Sequence, residues 1–159
     1  MDQHLSAPTG PKPVIQYIQT YLTMIHGSVG SAQYCHLYVK DDPGKPTVRD
    51  VLRGGRLSCA FYVSSLLKHF DLIGKPHATI AGLVRDLERS GWRPTSDFAH
   101  GRILVWGEEL QSGAMHGHTG FCMGLHTAVS HSDQHPRSPQ EHAINFGNPP
   151  RQIKAICTH

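Results

Sequence analysis

Residues 53–60 read "RGGRLSCA" and place a cysteine, Cys59, where a glycine-rich loop meets a run with helical periodicity. Ser58 is a good N-cap residue, so Cys59 falls at or near the first position of the predicted helix. Free N–H groups and the positive end of the helix dipole lie there, and both favour a thiolate over a thiol. The same N–H groups could stabilise an oxyanion on a substrate carbonyl. Cys59 is therefore a candidate nucleophile.

A cysteine nucleophile needs a base, and the base needs a group that orients it. In "GHTGFCMG" (117–124), alternate residues share one face of a predicted strand, so His118 lies on the same side as Gly120, Cys122 and Gly124. Cys122 is interpreted as core packing, which leaves His118 as the candidate base on that face. A two-residue hairpin turn at Gly124–Leu125 would place His118 directly opposite His131, with Cβ atoms about 5 Å apart. We predict that His118 is the base and that His131 orients it.

Other assignments of these roles stay open in the sequence. A three-residue turn would place Ser132 opposite His118, and Asp133 is a further alternative for the orienting group. His116 is the nearest competitor for the base, although the "MHG" around it is typical of a loop.

The elements that must position these residues follow an α+β order. Helices come first in the chain and an antiparallel set of strands follows, without alternating βαβ units. The predicted helices are 13–26, 59–70 and a third that Thr79 caps and Gly91 follows. The predicted strands are 32–40, 102–107, 117–124, 127–132 and 152–158, and the Pro-rich segment 133–150 is predicted to be a long loop.

Composition narrows the class of protein. The chain has 159 residues, 17% of them charged, and a net charge of +3, which fits a single soluble domain over 13–159 behind a flexible tail, 1–12. No basic run argues for nucleic acid, and no apolar run is long enough to cross a membrane. The four cysteines have no paired spacing, so free thiols are expected. Without a recognisable signal peptide, the protein is expected to be cytoplasmic, or exported by another route.

The order of these motifs resembles the papain-like NlpC and CHAP (cysteine, histidine-dependent amidohydrolase/peptidase) group. "LSCAFYV" stands at the nucleophile position of that group, "HGRILVW" at its first strand and "HTGFCMG" at its base, over residues 55–132. The resemblance implies a papain-like fold, with N-terminal helices packed on an antiparallel β-sheet. It also implies a catalytic set of Cys59, His118 and His131.

The function implied by the resemblance is that of a cysteine peptidase or amidase. The substrate would be a peptide or a peptidoglycan-like peptide, and no cofactor is expected. The sequence departs from the group in lacking its tyrosine before the nucleophile, because Thr47 stands there. Candidate substrate-binding residues are Tyr34, Tyr38, Ser58 and Trp106.

Two alternative functions remain. In the first, the protein binds a metal through its dense histidines and cysteines, although no paired zinc spacing is present. The candidate ligands are His116, His118, Cys122, His126 and His131. In the second, it is a non-catalytic binding module in which Cys59 is structural, since cysteine is among the most buried residue types.

Overall fold

The computed structural model describes residues 14–111 and 113–159 of the chain. In these ranges the α-helices are α1 (Tyr17–Gly27), α2 (Cys59–His69) and α3 (Ile80–Arg89). Thr79 caps α3 as predicted, and its hydroxyl accepts a hydrogen bond from the Gly82 N–H at 3.1 Å. The predicted tail 1–12 and the predicted helix start at Pro13 lie outside the described residues.

The main sheet is antiparallel throughout and has six strands in the order β3-β8-β4-β5-β6-β7. Its strands are β3 (Arg93–Pro94), β4 (Ile103–Gln111), β5 (Ala114–Cys122), β6 (Thr127–His131), β7 (Pro139–Ala143) and β8 (Ile153–Thr158). The three helices and this antiparallel sheet confirm the α+β prediction.

A small separate hairpin replaces the strand that was predicted over 32–40. It pairs β1 (Tyr38–Val39) with β2 (Arg49–Asp50). Tyr34 precedes it in a turn and is buried against Tyr62, with ring centroids 4.9 Å apart. Apolar residues of 32–40 therefore pack into the core from a turn and not from a strand. Their composition is typical of a strand because it reflects this burial.

Strand β7 lies inside the segment that was predicted to be a loop. It is an edge strand that begins at Pro139 and pairs with β6. Proline is tolerated at the start of an edge strand because no ladder hydrogen bond is needed from it there. The polar sequence of β7 reflects its place at the edge of the sheet.

The two faces of the sheet carry separate apolar clusters. Ile103, Phe121 and Val129 point toward the helices and pack with buried residues of α2 and α3. On the other face, Leu104 and Trp106 belong to a second cluster, which loop residues after β7 help to cover. Helix α2 lies against β5 and β6, and this packing brings the start of α2 to the sheet.

Candidate functional site

Cys59 is the first residue of α2, as the sequence predicted. Ser58 occupies the N-cap position but does not cap the helix, because its φ and ψ are −93° and −4° and its side chain makes no cap hydrogen bond. Its hydroxyl is buried without a hydrogen-bond partner in the described structure. The helix therefore begins at Cys59 for reasons other than the serine cap that the sequence suggested.

The loop before Cys59 is organised by the carboxylate of Asp50. It accepts hydrogen bonds from the backbone N–H groups of Leu37, Leu52 and Gly54 at 3.1, 3.0 and 2.7 Å, and from His36 Nδ1 at 2.9 Å. Burial alone would raise the pKa of Asp50, but these hydrogen bonds hold it well below its usual range. The carboxylate thus ties the hairpin to the turn that leads into α2.

A gap between β5 and β6 receives the sulfur of Cys59. The pairing of these strands ends at Gly120↔Ser130. The Met123 N–H donates to Thr127 of β6, and since N–H directions alternate along a strand, the Thr119 N–H points to the same side. With no ladder pair beyond Gly120, that N–H is free to face the Cys59 sulfur, and it acts to lower the pKa of the thiol. The end of the ladder thus forms the socket for the thiol.

The thiol of Cys59 is not activated in this structure. Burial raises its pKa above the usual value, and this effect outweighs backbone hydrogen bonds from Thr119, Ala60 and Cys59 itself and the positive charge of Arg151. The N–H groups at the helix terminus lower the pKa of Cys59, as predicted. Desolvation raises it by more. The resting sulfur is therefore protonated at neutral pH.

His118 lines the same cavity as Cys59, which has a volume of about 540 Å³. Its ring packs near Trp106 and Phe146, with centroid distances of 5.6 and 5.3 Å. Burial, followed by the charge of Arg151, lowers the pKa of His118 to about 3. Its ring nitrogen Nε2 bonds to Ser130 Oγ at 2.7 Å, and within the described residues no hydrogen bond joins its ring to Cys59.

Ser130 connects His118 to a second histidine. Its hydroxyl lies 2.6 Å from His142 Nε2, and His142 Nδ1 lies 2.8 Å from the carbonyl oxygen of Ala143. Burial lowers the pKa of His142 as well. Neither Ser130 nor His142 was among the residues that the sequence singled out for the site.

The predicted register of β5 and β6 is wrong by one residue. Met123 pairs with Thr127 across a three-residue turn, which corresponds to the alternative considered from the sequence. A shift of one residue reverses the face of every side chain on β6. Ser130 therefore shares the face of His118, and His131 points to the helix face.

His131 also lines the cavity, but it contacts different partners from those of His118. It is 2% exposed, its ring is 6.5 Å from that of Tyr62, and its Nε2 is 3.9 Å from Cys35 Sγ. Burial lowers the pKa of His131 to about 4. Ser132 and Asp133, the other candidates for the orienting group, line the cavity, as does His116, the competing base.

Arg151 is a buried cation in the wall of the cavity. It is 4% exposed, and its Nε lies 3.0 Å from Glu109 Oε2. Its Nη1 donates to the carbonyl oxygens of Gly107 and His116 at 3.3 and 3.4 Å. Its charge favours the thiolate form of Cys59 and disfavours the imidazolium form of His118, as their pKa values record. No local sequence signal marks Arg151, because a loop after β7 brings it to the site.

The four predicted substrate-binding residues are absent from the described lining of the cavity. Tyr34 and Ser58 are buried, and Tyr38 is 63% exposed and stacks with His36. Trp106 is buried behind His118 and donates its indole N–H to the Ile144 carbonyl at 2.8 Å. The structure therefore does not bring these four residues to the lining of this cavity.

The candidate metal ligands do not form a cluster in the described structure. Across residues 14–111 and 113–159, no group of three or more His, Cys, Asp or Glu side chains could hold a metal ion. The candidate ligand Cys122 is buried in the second apolar cluster, and His126 is exposed in the hairpin turn. None of the helices described for these ranges is long and apolar enough to cross a membrane.

Comparison with known proteins adds no family to these observations. No protein-family model matches the chain, and no curated protein has significant sequence similarity to it.

Proposed function

We propose that the protein is a cysteine-dependent amide hydrolase of the papain-like NlpC and CHAP type. The observation that carries this proposal is the meeting of Cys59 and His118 at one cavity. Cys59 starts a helix, and the Nε2 of His118 is held by Ser130. A nucleophile, a base and a group that orients the base are the minimum that thiol hydrolysis requires.

In the proposed reaction, His118 takes the proton of the Cys59 thiol as the sulfur attacks the substrate carbonyl carbon. The C–N bond of the resulting tetrahedral intermediate breaks, and His118 returns the proton to the leaving amine. Water, activated by the same imidazole, then hydrolyses the thioester to a carboxylic acid and restores the thiol. The backbone N–H of Cys59 contributes to the oxyanion site.

In this proposal the third catalytic position belongs to Ser130 and not to His131. Ser130 touches the base at 2.7 Å, whereas His131 faces Tyr62 and Cys35. The third group is still a polar residue on the strand that follows the base. It is Ser130, one position earlier than the predicted His131.

The substrate class is an amide in a peptide, with peptides of the bacterial cell wall as the default by resemblance. The cavity has charged residues of both signs, with Arg56 and Arg151 against Glu109 and Asp133. Such a lining suits a peptide that carries charged groups beside the amide bond.

The decisive experiment measures release of new primary amines from peptidoglycan fragments and from a panel of synthetic peptides. Wild-type protein should release amine, and Cys59→Ala should release none. His118→Ala should reduce the rate by about 10² to 10⁴, the usual contribution of a positioned acid–base group. Intact-protein mass spectrometry should detect the acyl adduct on Cys59.

Cys157→Ser is the matched control, because Cys157 is a half-buried thiol on β8 that is not among the described cavity-lining residues. It should retain full activity. If Cys59→Ala hydrolysed a true substrate as fast as the wild type, Cys59 would not be the nucleophile. Tight peptide binding with no turnover in any variant would instead support the non-catalytic binding module.

A further inference from the structure

The hydrogen bonds behind His118 form a continuous network from a backbone carbonyl to the candidate base. The His118–Ser130–His142 network consists of His118 Nε2, Ser130 Oγ and His142 Nε2, with successive distances of 2.7 and 2.6 Å. It ends where His142 Nδ1 meets the Ala143 carbonyl oxygen at 2.8 Å.

The last link determines the direction of every proton in the network. A carbonyl oxygen only accepts hydrogen bonds, so His142 Nδ1 carries the proton that it donates to Ala143. Burial lowers the pKa of His142, so its ring is neutral and its Nε2 has a free lone pair. Ser130 must then donate its hydroxyl proton to His142 Nε2, because that nitrogen cannot donate.

The same logic continues to the base. With its proton directed to His142, the Ser130 oxygen can only accept from His118, so His118 Nε2 carries a proton. Burial lowers the pKa of His118 to about 3, so its ring is neutral at pH 7. The other nitrogen, Nδ1, is therefore the atom with the free lone pair. One carbonyl on β7 thus determines the tautomer of a histidine on β5.

We propose that His142 is a positioning residue that, through Ser130, makes Nδ1 of His118 the proton acceptor of the site. This proposal deepens the proposed function and rests on it for the role of His118. Trp106 and Phe146 pack beside the network, with ring centroids 5.8 and 4.4 Å from that of His142.

A direct test reads the tautomer by ¹⁵N NMR of histidine-labelled protein at pH 7, without any substrate. His118 should carry its proton on Nε2 and His142 on Nδ1. His142→Phe keeps an aromatic ring but removes the acceptor, so the Ser130 hydroxyl becomes free to donate to His118 Nε2. The His118 proton should then shift to Nδ1. Wild-type His118 with its proton on Nδ1 would overturn the proposal.

The kinetic test uses iodoacetamide as the probe and measures alkylation of Cys59 by peptide mass spectrometry. His142→Phe should slow alkylation by about 10²-fold, since the nitrogen that accepts the thiol proton becomes protonated. Adding Ser130→Ala should restore part of the rate, because it removes the wrong donor. If His142 had only a structural role, the rate losses from His142→Phe and Ser130→Ala would add in the double variant. Such additivity would overturn the proposal.

One control variant and one fallback variant keep the result interpretable. His126→Phe changes an exposed turn histidine outside the network and should leave both the tautomer and the rate unchanged. If His142→Phe fails to fold, the wild-type spectrum and the Ser130→Ala variant still decide the assignment. Neither readout depends on amide hydrolysis, so failure of the network and failure of the proposed function are separate outcomes.

Discussion

At the scale of single residues, the resting Cys59 and His118 are both neutral. Burial raises the pKa of the thiol and lowers that of the imidazole to about 3, so a thiolate–imidazolium pair is not formed in advance. The proton must move during attack on the substrate. The positive charge of Arg151 acts on both groups. It opposes the rise in the pKa of Cys59 and adds to the decrease in the pKa of His118.

Replacement of Arg151 with glutamine should move the pH profile of Cys59 alkylation to higher pH. Loss of a nearby positive charge disfavours the thiolate, so the pKa of Cys59 rises further. Alkylation by iodoacetamide, followed from neutral to alkaline pH, measures this shift. Arg151→Lys keeps the charge and should keep the profile. Arg85→Gln, at an exposed site on α3, is the control, and an unmoved profile in Arg151→Gln would contradict this role.

At the scale of elements, the site depends on where the ladder between β5 and β6 ends. The approach of Ser130 to His118 requires Gly120 and Ser130 to pair closely. Gly120 allows that approach because a Cβ atom there would lie 2.6 Å from the Val129 oxygen and 2.7 Å from Ser130 Cβ. The loop that Asp50 organises places α2 on the other side of the gap.

Gly120→Ala should lower the free energy of unfolding by about 1–3 kcal/mol, the usual cost of overpacking. It should also slow Cys59 alkylation, because β6 must shift and Ser130 moves with it. Urea denaturation and iodoacetamide kinetics measure the two effects. Gly27→Ala is the matched control, since no atom lies within 4 Å of its new Cβ. Equal behaviour of the two variants would show that close pairing at Gly120 is not required.

Asp50→Asn should destabilise the protein by about 1–3 kcal/mol. The carboxylate has two acceptor oxygens for its hydrogen-bond donors, whereas an amide has only one. The three backbone donors to Asp50 are partly buried with it. Thermal unfolding measures the loss. Asp41→Asn removes a carboxylate that pairs with Arg49 at the exposed surface, and its effect should be much smaller. The hypothesis fails if Asp41→Asn is the more damaging change.

At the scale of the whole molecule, the site joins the helical layer to the far face of the sheet. Cys59 belongs to the helical layer, whereas His118 and Ser130 belong to the far face of the sheet. Three histidines of this region, His118, His131 and His142, have pKa values lowered by burial. Mild acid therefore acts on the fold as well as on the chemistry.

The free energy of unfolding should fall as the pH drops from about 6.5 to about 4. The unfolded chain binds protons on these histidines near their usual pKa of about 6.5, whereas folded His131 binds one only near pH 4. Since the unfolded state holds more protons in this window, stability rises with pH, by up to about 1.4 kcal/mol per pH unit for each histidine.

Urea denaturation across this range tests the effect. His131→Gln should flatten the dependence, and the exposed His126→Gln should not. The carboxylates do not obscure the window, because Asp86, with a pKa lowered to about 2, loses its contribution only below about pH 4. A wild-type stability that stays flat from pH 6.5 to 4 would rule out these buried neutral histidines.

The sequence alone determined the features that depend on near neighbours. The apolar spacing after Ser58 predicted a helix beginning at Cys59, and Thr79 predicted the start of α3. Both predictions succeed because helix periodicity and capping depend on residues that are close in the sequence. The same local patterns placed His118 on a strand and indicated the α+β class. These are the predictions that the structure bears out.

The tertiary structure decided which residues accompany Cys59 and His118. A hairpin turn of three residues in place of two exchanged His131 for Ser130, because side chains alternate faces along a strand. His142 and Arg151 reached the site from an edge strand and a loop, whose positions depend on packing against distant residues such as Trp106 and Glu109. Desolvation likewise depends on everything packed around a group, and it reversed the expected direction of the Cys59 pKa.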